Sequence, residues 1–327
     1  MIESRPVYFS PHAVSGESVQ RIMAFVCIAL VPSIILSILF YGYTALIQYM
    51  VGTVSCVFFE WIFCLFLRRP SSIKDGSAVV TGLLLVMTLP PFIPLWMTVI
   101  GSFISVVVGK MVFGGLGQNP FNPALVGRTA LLMSFPHHMT SWSQAGQTIF
   151  TEGFFIDSVS GATVLGLAKD SYTSDTVQMI PSVFNNSFTM SGSLGEISAL
   201  ALLLGGLFLI YKQVISWRIP VYFIGTVFLL SSIIWLFNRG TVMDPVTQIL
   251  SGGLFLGAFF MATDYSSSPL HNRGKVIFAI GCGVITVLIR LYGGYPEGVG
   301  FAILIMNAFV PLLDRYFKPV PFGMRYE

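Results

Sequence analysis

The sequence predicts an all-α integral membrane protein of about ten transmembrane helices, arranged as two inverted five-helix repeats. Three observations lead there. Charged residues make up only 9% of the chain and hydrophobic residues 54%, with a mean hydropathy of +0.81. Soluble domains carry roughly 25% charged residues. The apolar residues fall into runs of membrane-spanning length. A single long polar interval, 137–195, then divides those runs into two groups of equal number.

The elements follow in order. Residues 1–21 are polar and lack a cleavable signal pattern, so they read as a cytoplasmic N-terminal segment. A helix needs about 20 apolar residues to cross the hydrocarbon. The first half, 22–136, holds candidate spans at 22–42, 45–67, 77–92, 94–113 and 123–136. The interval 137–195 reads as an extracytoplasmic loop. The second half, 196–314, holds spans at 196–213, 219–237, 246–263, 275–292 and 297–314, and 315–327 is a cytoplasmic tail. The third, fifth and eighth spans are short or interrupted by Gly and Pro.

Basic residues set the orientation. With both termini in the cytoplasm, only Lys169, Arg239 and Arg290 of the 17 basic residues fall on the outer side. This asymmetry satisfies the positive-inside rule. An odd number of spans per half then gives the halves opposite orientations. The third and eighth spans hold matching places. One runs from Gly76 to Gly82 and on to Pro90-Pro91; the other runs from Ser251-Gly252-Gly253 to Asp264 and on to Pro269. Interrupted helices leave backbone groups that need partners inside protein. Small residues at the same places also suit tight helix packing.

Composition narrows the chemistry. Cys27, Cys56, Cys64 and Cys282 lie in apolar runs without a C-x-x-C pair. They predict small buried hydrophobes rather than a zinc or iron–sulfur site. His12, His137, His138 and His271 show no metal-ligand spacing. No metal and no nucleic-acid partner is expected.

Two polar motifs stand out. The first is Asp157-Ser-Val-Ser160-Gly161-Ala162-Thr163, in the predicted outer loop. Gly161 and Ala162 leave the backbone slim enough to enter another protein's active site, and glycine adopts angles that other residues resist. A threonine hydroxyl is a weak nucleophile and needs outside activation. The pattern D-x-x-S-G-A-T resembles the acceptor motif of bacterial flavin transferases. That resemblance implies FMN joined by a phosphoester to Thr163, put there by an exported flavin transferase. The second motif runs from Gly114 to Arg128 and contains Asn119-Pro120-Phe121-Asn122-Pro123. Asn amides donate and accept hydrogen bonds, which suits the imide edge of a flavin ring, and Phe121 suits its face. The same residues also suit a re-entrant turn capped by Asn. No strand precedes the glycines, so they are not a dinucleotide fingerprint.

Together with Gly195-Glu196-Ile197-Ser198 and the run Gly257–Asp264, these motifs resemble one family. It contains the D subunit of the Rnf ion-translocating electron transport complex and the B subunit of the sodium-translocating NADH:quinone oxidoreductase. The likeness covers nearly the whole chain, and the length favours the Rnf member. It implies a membrane flavoprotein subunit of a ferredoxin:NAD oxidoreductase in the bacterial inner membrane. Such a subunit relays electrons, coupled to Na+ or H+ movement. It implies covalent FMN on Thr163, with Asp157, Ser160, Gly161 and Ala162 around it. It also implies a non-covalent riboflavin near Asn119, Phe121 and Asn122. NAD and iron–sulfur chemistry would belong to partner subunits, so the chain is not active alone. The alternatives are the quinone-reductase subunit, a flavin-free solute channel or transporter, and a structural anchor for a redox complex.

Carboxylates within a span are functional candidates because burial in lipid is costly. Glu60, inside the second span, is the foremost candidate for a cation path, with Asp264 and Asp314 at helix ends beside it. Interfacial solvation accounts equally for Asp264 and Asp314, and the helix dipole favours Glu196 at the start of the sixth span. Arg290 either snorkels to the interface or pairs with Glu297; the sequence leaves both open.

Overall fold

The computed structural model describes residues 18–68, 72–143, 160–161, 165, 192–237, 243–295 and 297–317. In the first half these form α1 (Val19–Tyr41), α2 (Tyr43–Phe66), α3 (Ser77–Met87), α4 (Leu95–Phe103), α5 (Pro123–Ser134) and the single turn α6 (Pro136–Thr140). In the second half they form α7 (Ala199–Tyr211), α8 (Arg218–Phe237), α9 (Pro245–Leu250), α10 (Leu254–Leu256), α11 (Asn272–Tyr292) and α12 (Val299–Tyr316). Two helices change pitch. A π-helix, Ile104–Met111, continues α4, and another, Gly257–Met261, continues α10. Residues Trp142 and Ser143 pair antiparallel with Gly161 and Ser160.

Five helices, α1, α2, α8, α11 and α12, are long and apolar enough to cross a membrane. Their packing matches that environment and makes this a multi-pass membrane protein. Large apolar side chains such as Leu39, Val54 and Leu229 face outward, while Glu60, Lys110 and Arg290 are buried. Water is the reverse solvent: it would draw the charges out and the leucines in.

The short elements have local causes. α3 starts at Gly76, whose φ of 73° is left-handed, and it ends at Met87 before Pro90-Pro91. The predicted eighth span breaks between α9 and α10, where Gly252 and Gly253 take φ of 71° and 63°. Only glycine adopts such angles without strain. Asp244 caps α9, its carboxylate accepting from the Thr247 amide at 3.0 Å. Asn122 caps α5, accepting from the Ala124 and Leu125 amides, with Pro123 in the first turn. That is the favoured cap-then-proline order.

Carbonyls left where the short helices stop find partners elsewhere. The Gly195 and Leu194 amides donate to Met87 O and Leu89 O at 2.7 and 3.2 Å. The Gln48 amide on α2 donates to Pro91 O and Ile93 O at 3.0 and 3.1 Å. The halves also meet where α1 packs on α7. There, a Cβ on Gly205 would lie 2.2 Å from Ala29 O, a backbone atom.

This contact yields a test with its own control. Gly205→Ala should lower the melting temperature in detergent, because overpacking against backbone costs about 1–3 kcal/mol. Gly225→Ala on α8 should not, since a Cβ there meets nothing within 4 Å and alanine favours helix by about 1 kcal/mol. Equal melting of both variants and the parent would contradict the close approach.

Candidate functional site

Two motifs far apart in sequence, Gly114–Arg128 and the run Gly257–Asp264, come together in space. The Asn122 amide donates to Met261 O at 3.1 Å. With its amide turned so that nitrogen faces acceptors, Asn307 on α12 donates to Ile303 O at 3.2 Å and Ser267 O at 3.0 Å. It then accepts from the Asn122 backbone amide at 3.1 Å. Beside this junction opens a small cleft of about 70 Å3. Its polar wall includes Ser77, Lys110, Asn119, Asn122, Thr263 and Asp264, and Phe259 and Phe260 contribute apolar surface.

Asn119 and Asn122 are both buried, but their hydrogen bonding differs. Every polar group of the Asn122 side chain is engaged, its oxygen capping α5 and its nitrogen holding Met261, and its backbone amide meets Asn307. The Asn119 nitrogen donates to Phe121 O at 3.0 Å, whereas its Oδ1 is buried with no partner among the described residues. An unpaired buried acceptor costs about 1–3 kcal/mol, so this oxygen favours a ligand that brings an N–H. Phe121 is half-buried and is not among the residues lining the cleft.

Asp264 is half-buried at the cleft, accepting from Ser267 and Ser266 hydroxyls at 3.0 and 3.1 Å. Burial holds its carboxyl above the usual carboxylate range, opposed by hydrogen bonds from Ser267, Ser266 and Asn119. Asp314 lies away from the cleft wall. Its carboxylate accepts from the Leu270 amide at 3.0 Å, tying α12 to the turn before α11.

Glu60 is fully buried, and its partner is a residue that the sequence marks only as one more inner-side cation. The Lys110 ammonium lies 2.6 Å from Glu60 Oε2 and donates to Ser77 Oγ at 2.7 Å. The Ser72 hydroxyl donates to the other Glu60 oxygen. Lys110 sits in the π-helix, whose i→i+5 bonding buries it along with Val106, Gly109 and Met111. A single charge in an otherwise apolar run, 94–113, is the signal that could have found it.

Arg290 neither snorkels nor pairs with Glu297. It is buried, donating to Gln248 O at 2.5 Å, Gln248 Oε1 at 3.2 Å, Ser251 O at 2.9 Å and Gly252 O at 3.3 Å. The partner of Glu297 is Arg128 on α5. Arg290 is drawn to its side of the break because helix carbonyls end there, carrying the negative end of the dipole. Glu196 precedes α7 by a short turn and faces Gly253 across the break. Asp157, Ala162 and Thr163 lie outside the described residues, as does the side chain of Ser160, while Gly161 is described in its backbone; Leu165 is described and packs against Gly252.

The model of the NQR2, RnfD, RnfE family matches residues 7–323. The chain is 45% identical over 97% of its length to the D subunit of the proton-translocating ferredoxin:NAD(+) oxidoreductase complex of Clostridium ljungdahlii, covering 95% of that protein. It is 44% identical over 96% of its length to the D subunit of the Na(+)-translocating ferredoxin:NAD(+) oxidoreductase complex of Acetobacterium woodii, covering 94% of it. It is 38% identical over 97% of its length to the D subunit of an ion-translocating oxidoreductase complex of Salmonella arizonae, covering 97% of it.

The raised Asp264 carboxyl gives a pH dependence of known sign. In the unfolded chain the group ionises near pH 4; in the folded protein it holds its proton to higher pH. Stability contributed by this group is therefore present below about pH 4 and is lost as pH rises toward the folded value. Asp264→Asn removes that loss. Melting curves in detergent from about pH 4 to 7 should show the variant gaining on the parent as pH rises, then levelling. Parallel curves would count against it.

Proposed function

The chain belongs to the NQR2, RnfD, RnfE family, and from that premise we propose that it is the D-type subunit of an Rnf ferredoxin:NAD oxidoreductase. The observation that carries this reading is likeness over nearly the full chain to relatives named as the D subunit of a ferredoxin:NAD(+) oxidoreductase complex. On it, the chain relays electrons through FMN joined to Thr163 and works only among other membrane and peripheral subunits. The names of the relatives divide between proton and sodium, so they leave the coupling ion open.

The topology we propose is ten spans in two inverted halves, 22–136 and 196–314. Termini 1–21 and 315–327 face the cytoplasm of a bacterial cell, and 137–195 faces outward from its inner membrane. Helical segments at all ten expected places support it, as does the left-handed glycine in the third element of each half. An outward loop is where an exported transferase would meet Thr163.

A second, non-covalent flavin would have to widen this cleft, about 70 Å3 as it stands, to reach Asn119. Asn119 would accept from the ring imide through its unpaired Oδ1, Asn122 would hold the wall, and Phe259 and Phe260 would exclude water. When bound, such a ring supplies electron-carrying chemistry that no side chain here offers. A flavin-free channel is less favoured. Lys110 and Arg290 place a buried cation in each helix break, where a cation path would need oxygen ligands. The names of the relatives favour the Rnf complex over the quinone reductase.

The deciding experiment uses the denatured, purified chain from cells that hold the transferase. It should fluoresce yellow in a gel, because a phosphoester survives denaturation, and Thr163→Val should abolish this while the protein still inserts. An unmodified peptide over 157–169 in mass spectrometry would defeat the assignment.

The cleft is tested apart from Thr163. Asn119→Leu should lower acid-extractable riboflavin by roughly tenfold or more, from loss of a buried hydrogen bond, with the covalent flavin unchanged. Asn122→Leu should instead lower the melting temperature by removing a helix cap worth about 1 kcal/mol. Unchanged riboflavin in the Asn119 variant would exclude that residue as a contact.

A further inference from the structure

In sequence, Thr163 stands two residues from Gly161 and two from Leu165, and the chain is anchored at both of those points. Ser160 and Gly161 pair antiparallel with Ser143 and Trp142. Trp142 is buried, at 5% exposure, and follows α6, so this anchor belongs to the first half. Leu165 is buried to the same 5%, and its seat belongs to the second half. A Cβ on Gly252 would fall 2.2 Å from Leu165 Cδ1 and 2.7 Å from Arg290 Nη2. The leucine methyl thus takes the room that a side chain at residue 252 would need, beside the guanidinium.

The seat is stiff. Gly252 holds a φ of 71°, an angle that side chains resist. Arg290 fixes the same turn by donating to Gln248 O, Ser251 O and Gly252 O. Loops ordinarily run over the surface and move more than the elements they connect. A leucine packed to this depth, on a floor this well bonded, holds its neighbours in the chain to one place. Functional groups keep a productive geometry only through neighbours whose own packing is locked. Leu165 has no chemistry to offer beyond that packing, and it stands beside the one threonine whose placement matters to the proposed attachment.

We propose that Leu165, seated on Gly252 and Arg290, is a positioning residue: it ties the attachment segment to the break in the eighth span, so that a group joined to Thr163 is held at one place on the molecule. This rests on the reading that Thr163 carries FMN, and it adds a role for residues that reading does not use. Leu165 follows the motif Asp157–Thr163 and is no part of it, so the seat acts on where the group is held and not on whether it is attached. No bond is made or broken at the seat. The break then serves the loop: Gly252 clears the space, Arg290 forms the floor, and the first and second halves are joined through the segment that bears Thr163.

The test reads mobility at residue 163 in the full chain, purified in detergent, by two spectroscopic signals. The first needs no flavin. Thr163→Cys carries a nitroxide label in a Cys27→Ser background, since Cys56, Cys64 and Cys282 are buried. The label should give a broad, immobilised line shape, and adding Leu165→Ala should replace it with the narrow lines of nanosecond loop motion. Leu165→Met, which nearly conserves volume, should restore the parent's line shape. Should Leu165→Ala not accumulate, Leu165→Val, a smaller loss in the same seat, carries the same comparison. The second signal is the fluorescence anisotropy of the covalent flavin on chains from cells that hold the transferase. Leu165→Ala should lose anisotropy and Leu165→Met should keep it, while mass spectrometry of the peptide over 157–169 finds the same flavin occupancy in all three. Melting temperatures are taken on every sample. A parent without covalent flavin overturns the attachment reading and this inference with it. A flavin-bearing parent whose label is already mobile, or a Leu165→Ala variant that melts lower but keeps the parent's line shape and anisotropy, overturns the positioning role alone.

Discussion

A backbone carbonyl with no partner costs several kcal/mol where lipid replaces water, and α3 and α9 both end inside the protein. The structure answers each end differently. Below α3, Met87 O and Leu89 O receive amides from Gly195 and Leu194, the segment that leads into the second half. Gln48 closes the following turn from the side. At α9, one guanidinium gathers the carbonyls of Gln248, Ser251 and Gly252. Neither short helix can stop where it does without a group supplied from elsewhere in the fold. The two halves are thus tied by backbone chemistry as well as by packing, and a Cβ at Gly195, 2.9 Å from Met87 O, would break the first tie.

The cleft opens away from those stops, between the first turns of α3 and the end of the second π-helix, at Ser77, Thr81, Phe260 and Thr263. A full-length third span would continue through the turn that Gln48 closes, and an unbroken eighth span would fill the place of Gly252 and Gly253. Stopping them creates polar ends within the bundle, and polar side chains gather there. Asn122 serves three bonds at the junction, and Asn307 returns the contact from α12. Arg128 and Glu297 join α5 to the start of α12 on the same seam. Among the described residues, Asn119 Oδ1 and Glu297 Oε1 are buried acceptors left unpaired near this seam.

The helices are legible in the sequence because lipid demands length and apolarity, which composition records directly. Predicted ends at 22–42 and 219–237 fall close to the observed Val19–Tyr41 and Arg218–Phe237. Breaks are legible at glycine and proline, although the sequence does not say that the eighth span splits into α9, α10 and a π-helix. Pairings across the fold are not legible. Nothing near Arg290 in sequence announces the carbonyls of residues 248–252, and the nearby Glu297 is the wrong partner, lost to Arg128. Asn122 shows a subtler limit. By residue type its amide is free to meet a ligand, but the proline after it marks a helix cap, and the cap takes the oxygen. The attachment motif around Thr163 carries its meaning in residue types alone and falls outside the described residues.

Lys110 and Arg290 hold comparable places, each on the helix that follows a break and reaching back into it, yet their chemistry separates them. Arg290 spreads a rigid, delocalised charge over four oxygens of neutral groups. To release it would orphan several backbone carbonyls at once, so it is a fixture. Lys110 presents a point charge to one carboxylate and one hydroxyl. A guanidinium has no simple substitute, because its planar fork matches several acceptors together. An ammonium does have one, since any small cation of the same charge satisfies the same oxygens. Of these two buried cations, Arg290 is held by neutral carbonyls and Lys110 by a carboxylate and a hydroxyl.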